Sequence, residues 1–265
     1  MQTSSSPDLA LVRELSSNLE ECELTHQERE PIDANLAREQ HDGYIAALES
    51  RGVEVITLPP LEGFPDAVFV EDCAVVLDEV AVLTRPGAES RRGEVESIAE
   101  ALAGYRNLER IESPATLEGG DVLTVGDTLY VGWSGRTNHA GLKRLAHLVV
   151  EHGYAVKAIE VEGCLHLKSA VTRLDDERLL VNPSWLNLER VRGLELISVH
   201  PSEPLGANVL AFGKTLVCSA SYPRTNELLS GLGFEVVEVE MGELHKMESA
   251  VTCSSLLFRR ERGST

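Results

Sequence analysis

The stretch Asp121-Val-Leu-Thr-Val-Gly-Asp-Thr-Leu-Tyr-Val131 places a Gly-Asp pair between two short apolar runs. This pattern is typical of a β-hairpin, because glycine readily adopts the positive φ that a two-residue turn requires. The residues that follow predict a helix to Glu151 and a strand from Ala155 to Val161. The segment therefore predicts one unit built as hairpin, helix and strand, or ββαβ.

The same pattern recurs along the chain, with hairpins that start near residues 73, 121, 170, 208 and 250. The other predicted hairpins are Cys73–Leu77 with Val80–Thr84, Ala170–Leu174 with Arg178–Val181, Asn208–Phe212 with Thr215–Cys218, and Ala250–Cys253 with Ser254–Phe258. Three of them are followed by a predicted helix and strand, namely Val95–Leu102 with Leu108–Ile111, a short helix from Trp185 with Leu194–Val199, and a helix from Asn226 with Phe234–Val239. The last hairpin has no helix after it.

The N-terminus supplies the missing half of the last unit, a helix from Asn35 to Ser50 and a strand from Val53 to Leu58. Repeats that cannot bury an apolar face alone must stack on one another, and a last unit completed by the first residues favours a closed ring. We therefore predict one α/β domain over residues 1–265, a five-bladed pseudo-symmetric propeller with its helices outside. A doubly wound parallel sheet is the alternative, but two-residue turns do not join parallel strands.

Composition restricts the class of partner. The chain has 24 basic and 43 acidic residues, a formal net charge of −19, and such a chain repels both nucleic acid and anionic lipid surfaces. Five scattered cysteines do not suggest a disulfide framework and favour a reducing cytoplasm. No run approaches the roughly 20 apolar residues of a membrane span, and we expect a cytoplasmic protein, either a monomer or a simple homodimer.

Polar side chains are concentrated in the segments that lead into each hairpin, which converge on the axis of a ring. These segments read Phe69-Val-Glu-Asp72, Leu117-Glu-Gly-Gly-Asp121, Leu165-His-Leu-Lys-Ser169, Glu203-Pro-Leu-Gly-Ala-Asn208 and His245-Lys-Met-Glu-Ser249. Cys253 follows the last of them. A cysteine in an apolar strand is more often a buried hydrophobe, and a histidine such as His166 can be a hydrogen-bonded core residue. Together near one axis, however, they suit a thiolate nucleophile and its proton-transfer partner.

The carboxylates in these segments indicate the charge of the ligand. Glu71, Asp72 and Glu118 would repel one another in a common cavity, since burying such charges costs several kcal/mol unless a cation neutralises them. A planar guanidinium satisfies paired carboxylates better than an ammonium does. Carboxylates, cysteine and histidine therefore suggest nucleophilic attack on a guanidinium carbon, although Asp72 as a surface acid and the Glu118 loop as a plain turn are open readings.

Six motifs resemble those of the dimethylarginine dimethylaminohydrolase family, in order and over residues 11–258. They are Phe69-Val-Glu-Asp72, Thr84-Arg-Pro-Gly87, Leu117-Glu-Gly-Gly-Asp-Val122, Arg136-Thr-Asn138, Leu165-His-Leu-Lys-Ser169 and Thr252-Cys253. The resemblance implies the pentein fold of the guanidine-modifying enzymes, which is the same five-fold propeller. It also implies hydrolysis of Nω,Nω-dimethyl-L-arginine or Nω-monomethyl-L-arginine to citrulline and the methylamine, with no cofactor and no metal.

The resemblance also implies roles for individual residues. Cys253 matches the nucleophile, His166 the general acid and base, and Glu118 the acid that completes the catalytic set. The positions that match substrate-binding residues are Leu19, through its backbone in a lid, Asp66, Glu71, Asp72, Arg85, Arg136 and Met247.

Other functions use similar residues. An arginine deiminase would act on unmethylated arginine with the same catalytic set, and an amidinotransferase is a third option, although both are usually longer chains by resemblance. A metal-binding or redox protein could use Cys164 and His166 with Cys73, but that spacing is not an established zinc pattern. A propeller that only binds proteins is the last alternative.

Overall fold

Five three-stranded sheets form the framework of the protein in a computed structural model that describes residues 7–260. The strands are β1 (Leu9–Arg13), β2 (Glu54–Leu58), β3 (Ala74–Val76), β4 (Val80–Leu83), β5 (Asn107–Arg110), β6 (Val122–Val125), β7 (Thr128–Trp133), β8 (Ala155–Glu160), β9 (Val171–Arg173), β10 (Arg178–Val181), β11 (Glu195–Ser198), β12 (Leu210–Phe212), β13 (Thr215–Ser219), β14 (Glu235–Val239) and β15 (Leu256–Phe258). The sheet orders are β15-β1-β2, β3-β4-β5, β6-β7-β8, β9-β10-β11 and β12-β13-β14. Each contains one antiparallel and one parallel pair, which confirms the repeated ββαβ unit.

Helices connect the second and third strands of most sheets. The α-helices are α1 (Ala34–Glu49), α2 (Val95–Leu102), α3 (His139–Val149), α4 (Leu167–Ala170), α5 (Pro223–Gly231) and α6 (Gly242–His245). The third predicted unit differs, since a 3-10 helix, Leu188–Arg190, replaces the short helix expected from Trp185. Helix α5 begins before the predicted Asn226, because Pro223 fits the first turn of a helix. Within residues 7–260, no helix is both long and apolar enough to cross a membrane.

The fifth sheet closes the ring, but its pairing differs from the sequence prediction. The predicted hairpin between Ala250–Cys253 and Ser254–Phe258 is wrong, because those two runs have no turn residues between them. Val251–Ser254 instead forms a 3-10 helix, and β15 pairs antiparallel with β1 at the start of the chain. Strand β1 was not predicted, although the completion of the last unit by N-terminal residues was.

A short helical turn precedes the first strand of four sheets. These turns are the 3-10 helices Val70–Cys73, Gly119–Asp121 and Val251–Ser254, together with helix α4. The turn Val70–Cys73 contacts both Gly119–Asp121 and Val251–Ser254, and α4 contacts Gly119–Asp121. The polar segments predicted to converge on the axis therefore meet there, which sets the position of the candidate site.

Strand β1 provides a test of ring closure. Leu11 is 1% exposed and lies opposite Leu256, so Leu11→Ala removes packing between the two ends of the chain. We expect it to lower the free energy of unfolding by about 2–5 kcal/mol, measured by urea denaturation. The control Leu228→Ala, at a side chain 40% exposed, should cost about 0.5 kcal/mol or less. Equal losses in the two variants would contradict the closure.

Candidate active site

The axial turns deliver a nucleophile, a base and carboxylates to one side of the ring. Asp72, His166 and Cys253 line a common cavity together with Asp66 and Arg136. Asp72 and His166 are buried, and Cys253 is partly exposed. Three chain segments far apart in sequence thus contribute one reactive group each.

His166 and Glu118 form a buried pair behind the cavity. The His166 Nε2 atom lies 2.6 Å from Glu118 Oε2, and the Glu118 side chain is fully buried. The other carboxylate oxygen, Glu118 Oε1, accepts hydrogen bonds from the backbone N–H groups of Gly87 and Ala88 at 2.9 and 3.3 Å. Glu118 therefore has a fixed orientation, and it fixes the ring of His166 in turn.

Asp72 is held between a guanidinium and a backbone N–H. The Arg91 Nη1 atom donates to Asp72 Oδ2 at 2.6 Å, and Gly120 N donates to Asp72 Oδ1 at 2.9 Å. Arg91 also binds Glu94 through Nε and Nη2, and both side chains are almost completely buried. A buried arginine between two carboxylates compensates their charge, which allows Asp72 to stay ionised inside the protein.

The two glycines after Glu118 permit this close packing. A Cβ atom on Gly119 would lie 1.9 Å from the backbone oxygen of Glu71, and one on Gly120 would lie 2.7 Å from His166 Nδ1. Any side chain here would push the histidine and the Asp72 turn apart. The Glu118 loop is therefore required by the geometry of the site and is more than a simple turn.

The carboxylates change the proton affinity of His166. Burial alone lowers the pKa of His166, but Asp72, the hydrogen bond to Glu118 and the charge of Asp121 outweigh it and raise the pKa to about 9. Burial raises the pKa of Asp72, yet His166 and Arg91 more than offset this and lower it below its ordinary value. At neutral pH, His166 is therefore a protonated imidazolium and Asp72 beside it is an ionised carboxylate.

The Cys253 thiol has the opposite environment. Burial, followed by the charges of Glu71 and Asp72, raises the pKa of Cys253 well above its ordinary value. The thiol is therefore neutral at pH 7 until another positive charge approaches it. A cation placed between Cys253 and the carboxylates would favour the thiolate.

Glu71 faces away from the cavity that contains Cys253. Its Oε1 accepts from Lys168 Nζ at 2.5 Å and its Oε2 from Thr252 Oγ1 at 2.8 Å, and it lines a second cavity at the axis with Lys168. Asn208 Nδ2 donates to the same Thr252 Oγ1 at 3.0 Å and so helps to hold the hydroxyl against Glu71. Glu71 and Lys168 therefore line the second cavity and not the one that contains Cys253.

The structure brings some predicted residues to the cavity and leaves others outside it. Asp66, Asp72, Arg136, His166, Met247 and Cys253 line it. Glu118 does not line the cavity itself. It contacts two residues that do, His166 and Arg136, and the Arg136 Nη1 atom lies 3.5 Å from Glu118 Oε1. Arg85 does not line the cavity, because it is bridged to Leu117 and its guanidinium donates to the Ala115 carbonyl. Leu19 is packed in the core, and its carbonyl accepts from Cys22 N.

Arg91 is the cavity arginine that the sequence did not identify. It lies in the 3-10 helix Glu89–Glu94, whose sequence Glu-Ser-Arg-Arg-Gly-Glu contains two adjacent arginines. Arg91 points inward to Asp72, whereas Arg92 pairs with Glu89 at the surface. The spacing of Arg91 to Glu94 is a signal for a local ion pair, but it does not distinguish which arginine is buried.

Asp121 is a second residue whose place emerges only from the structure. It is fully buried and accepts hydrogen bonds from Ser134 Oγ and Thr137 Oγ1 at 2.6 Å each, and from Leu167 N at 2.9 Å. Thr137 Oγ1 in turn accepts from Glu118 N. Asp121 therefore anchors the backbone on both sides of the His166–Glu118 pair.

Asp72, Glu118 and His166 offer ligand atoms within 4.8 Å of one another, a spacing that could hold a metal ion. Their oxygen and nitrogen atoms already bind Arg91, Gly120, Gly87 and each other. A metal ion would have to displace these bonds, so the donor set fits protonated and guanidinium partners better than a divalent cation.

Comparisons with known proteins agree with this geometry. The family model for N,N dimethylarginine dimethylhydrolase, eukaryotic, matches residues 10–173. An N(G),N(G)-dimethylarginine dimethylaminohydrolase of Streptomyces coelicolor is 45% identical over 252 residues, 94% of this chain and 96% of that protein. A Pseudomonas aeruginosa enzyme of the same name is 39% identical over 84% of this chain and 88% of its own length.

A solved structure of the Pseudomonas aeruginosa enzyme supports the same family and fold. A cysteine-to-serine variant of the Pseudomonas aeruginosa enzyme, complexed with citrulline, superposes with a TM-score of 0.90 and 36% identity, covering 96% of this chain and 100% of that one. The fold is therefore the pentein fold, and the chain belongs to the dimethylarginine dimethylaminohydrolase family.

Proposed function

We propose that the protein hydrolyses Nω-methylated L-arginine to citrulline and the methylamine. The observation that carries this proposal is the shared cavity of Cys253, His166 and Asp72, in which Glu118 pairs with His166 at 2.6 Å. Anionic groups on one side and a thiol on the other suit a guanidinium carbon. The family relatives, which carry the name of this activity, support the same substrate class.

In the first step, the Cys253 thiol releases its proton to solvent as the cationic substrate binds, the thiolate sulfur attacks the guanidinium carbon, and the bond from that carbon to the methylated nitrogen breaks. The substrate's own positive charge offsets Glu71 and Asp72, so binding lowers the pKa of the Cys253 thiol that these charges and burial raise. His166, protonated at neutral pH, gives its proton to the departing amine. The product of this step is a covalent thiouronium on Cys253.

In the second step, water attacks the same carbon. His166, now neutral, removes one proton from that water; the bond from carbon to sulfur then breaks, and the second water proton passes to the sulfur, which releases citrulline and restores the Cys253 thiol. Glu118 stabilises the imidazolium form in both steps through its hydrogen bond. The cysteine thus divides one difficult hydrolysis into two easier ones.

Both ends of the amino acid require partners in the cavity. Asp72 orients the guanidinium, while Asp66 and the backbone at Met247 suit the α-amino end. Arg136 supplies the positive charge for the carboxylate, whereas Arg91 stays bound to Asp72 and Glu94. Glu71 acts on Cys253 through its charge, which adds to the effect of burial and raises the pKa of the thiol. We assign no substrate contact to Arg85 or Leu19.

We propose a single propeller domain over residues 1–265, located in the cytoplasm as a monomer or simple homodimer. A formal net charge of −19 argues against nucleic acid as a partner.

A substrate panel tests the function directly. The protein is incubated with dimethylarginine, monomethylarginine and unmethylated arginine, and citrulline is measured. We expect citrulline from the methylated substrates and much less from arginine, because the named relatives that are 45% and 39% identical to this chain are dimethylarginine dimethylaminohydrolases. Cys253→Ser should lose turnover by about 10³-fold or more, and mass spectrometry of the quenched wild-type reaction should show the covalent adduct.

Two results would contradict the proposal. Preference for unmethylated arginine would assign an arginine deiminase activity to the same residues. Appreciable turnover by Cys253→Ser would exclude Cys253 as the nucleophile.

The pKa of His166 provides a second test. Glu118→Gln removes a hydrogen bond and a negative charge that raise the pKa of His166, so this pKa should fall from about 9 in the wild type. The imidazolium form then disappears at lower pH. The measurement is a histidine NMR titration in the unliganded protein, with the His166 signal assigned from a His166→Asn variant.

Glu112→Gln is the matched control, since Glu112 is exposed and lies in the chain segment ahead of Glu118. This variant should titrate like the wild type. An unchanged His166 titration in Glu118→Gln would contradict the role proposed for the Glu118 pair.

A further inference from the structure

The segment between β1 and α1 crosses the mouth of the cavity. We call residues 19–30 the lid segment. On one side, Glu23 lines the cavity and its N–H donates to Asp66 Oδ2 at 3.0 Å. On the other side, the Thr25 hydroxyl accepts from Arg136 Nη2 at 2.9 Å. Two side chains of the proposed substrate site therefore hold the lid segment.

The closed lid leaves little room in the cavity. Its volume is about 20 Å³, which is close to the space that one ordered water needs. An arginine derivative cannot enter such a cavity unless part of its wall moves. The lid segment has little support of its own, because residues 20, 21, 23 and 25–30 are exposed and only Leu19 and Cys22 within it are buried.

Glu248 makes the most extensive polar contact with the lid segment. Its carboxylate accepts hydrogen bonds from three successive backbone N–H groups, from Thr25 to Oε2 at 2.9 Å and from His26 and Gln27 to Oε1. Successive N–H groups that point at one anion form a binding concavity, and charge-assisted bonds of this kind are stronger than neutral ones. The lid segment thus binds a carboxylate that belongs to another part of the chain.

The backbone of Glu248 is strained. Its φ is +54°, and within residues 7–260 it is the sole non-glycine residue with a positive φ. A side chain rarely adopts this conformation, and it persists where surrounding contacts demand it. Glu248 lines the cavity together with its two neighbours, Met247 and Ser249, so the strained residue lies where the cavity wall meets the lid segment.

We propose that Glu248 is a positioning residue that latches the lid segment closed over bound substrate. This proposal rests on the proposed function. The carboxylate captures the N–H groups of residues 25–27 when the lid closes, and closure brings Glu23 to Asp66 and Thr25 to Arg136. Opening releases all of these contacts together. Glu248 lines the cavity, but its carboxylate oxygens bind the N–H groups of residues 25–27, so it acts through the lid segment.

The variant Glu248→Gly removes the carboxylate that binds the lid segment but keeps the backbone conformation of residue 248. Glycine accepts the positive φ without strain, so the variant should fold like the wild type, while it loses the carboxylate and its three hydrogen bonds to the lid segment. We expect the KM for dimethylarginine to rise about tenfold or more, because the closed state becomes less populated. The kcat should change less than the KM, since saturating substrate favours closure.

Hydrogen exchange of the backbone amides measures how often the lid segment opens in the absence of substrate. In Glu248→Gly, the amides of residues 25–27 should exchange faster than in the wild type, while the amides of β7 should not change. Glu28→Gln is the matched control, because it removes one negative charge from the exposed lid segment itself. It should leave both the exchange and the KM unchanged.

The outcomes distinguish the latch from the activity. If the wild type makes no citrulline, the proposed function fails, whereas the exchange data still test the latch. If the wild type is active but Glu248→Gly keeps both the wild-type KM and the wild-type exchange, the latch is wrong. Glu248→Asn, which also tolerates positive φ, replaces the glycine variant if that variant does not fold, and the same outcomes apply.

Discussion

Charge compensation at the propeller axis is the constraint on which the rest of the structure depends. Asp72, Glu118 and Glu71 are buried close to one another, and three cations, Arg91, His166 and Lys168, bind them. Without these partners, the carboxylates would take up protons or the axial turns would separate, because isolated buried charges are costly. The axial carboxylates raise the pKa of His166 against the effect of burial, and burial, with the charges of Glu71 and Asp72, keeps the Cys253 thiol neutral.

This arrangement explains why the axial segments combine charged residues with glycine. The carboxylates can reach their partners only if the backbones of neighbouring units approach closely, as at Gly119 against Glu71 and at Gly120 against His166. Gly87 also permits a close approach of two backbones, since a Cβ atom there would lie 2.5 Å from the backbone oxygen of Arg136. The motifs that carry the family resemblance are therefore packing requirements of the charge cluster as well as chemical groups.

The repeats in the sequence predicted the architecture because each hairpin is local: its strands and turn lie within about a dozen residues. The pairing of β1 with β15 was missed because it joins the two ends of the chain, where no turn signal exists. The residues of the site likewise divide into those that local sequence patterns predict and those that they do not. Cys253, His166 and Asp72 lie on segments that the repeat places at the axis, whereas Arg91 is distinguished from Arg92 only by the direction of a 3-10 turn. The Glu248 carboxylate contacts residues more than 200 positions away, which no local pattern reveals.

A neutral thiol behind a closed lid has a consequence for selectivity in the proposed reaction. The Cys253 sulfur becomes a strong nucleophile only when a cation offsets Glu71 and Asp72, so small neutral electrophiles meet the unreactive thiol form. The lid adds a second condition, since Asp66 and Arg136 hold it as well as lining the cavity. An amino acid that brings a cationic side chain, an amine and a carboxylate engages both the axial carboxylates and the residues under the lid. The axial charges and the lid therefore select for the same molecule at its two opposite ends.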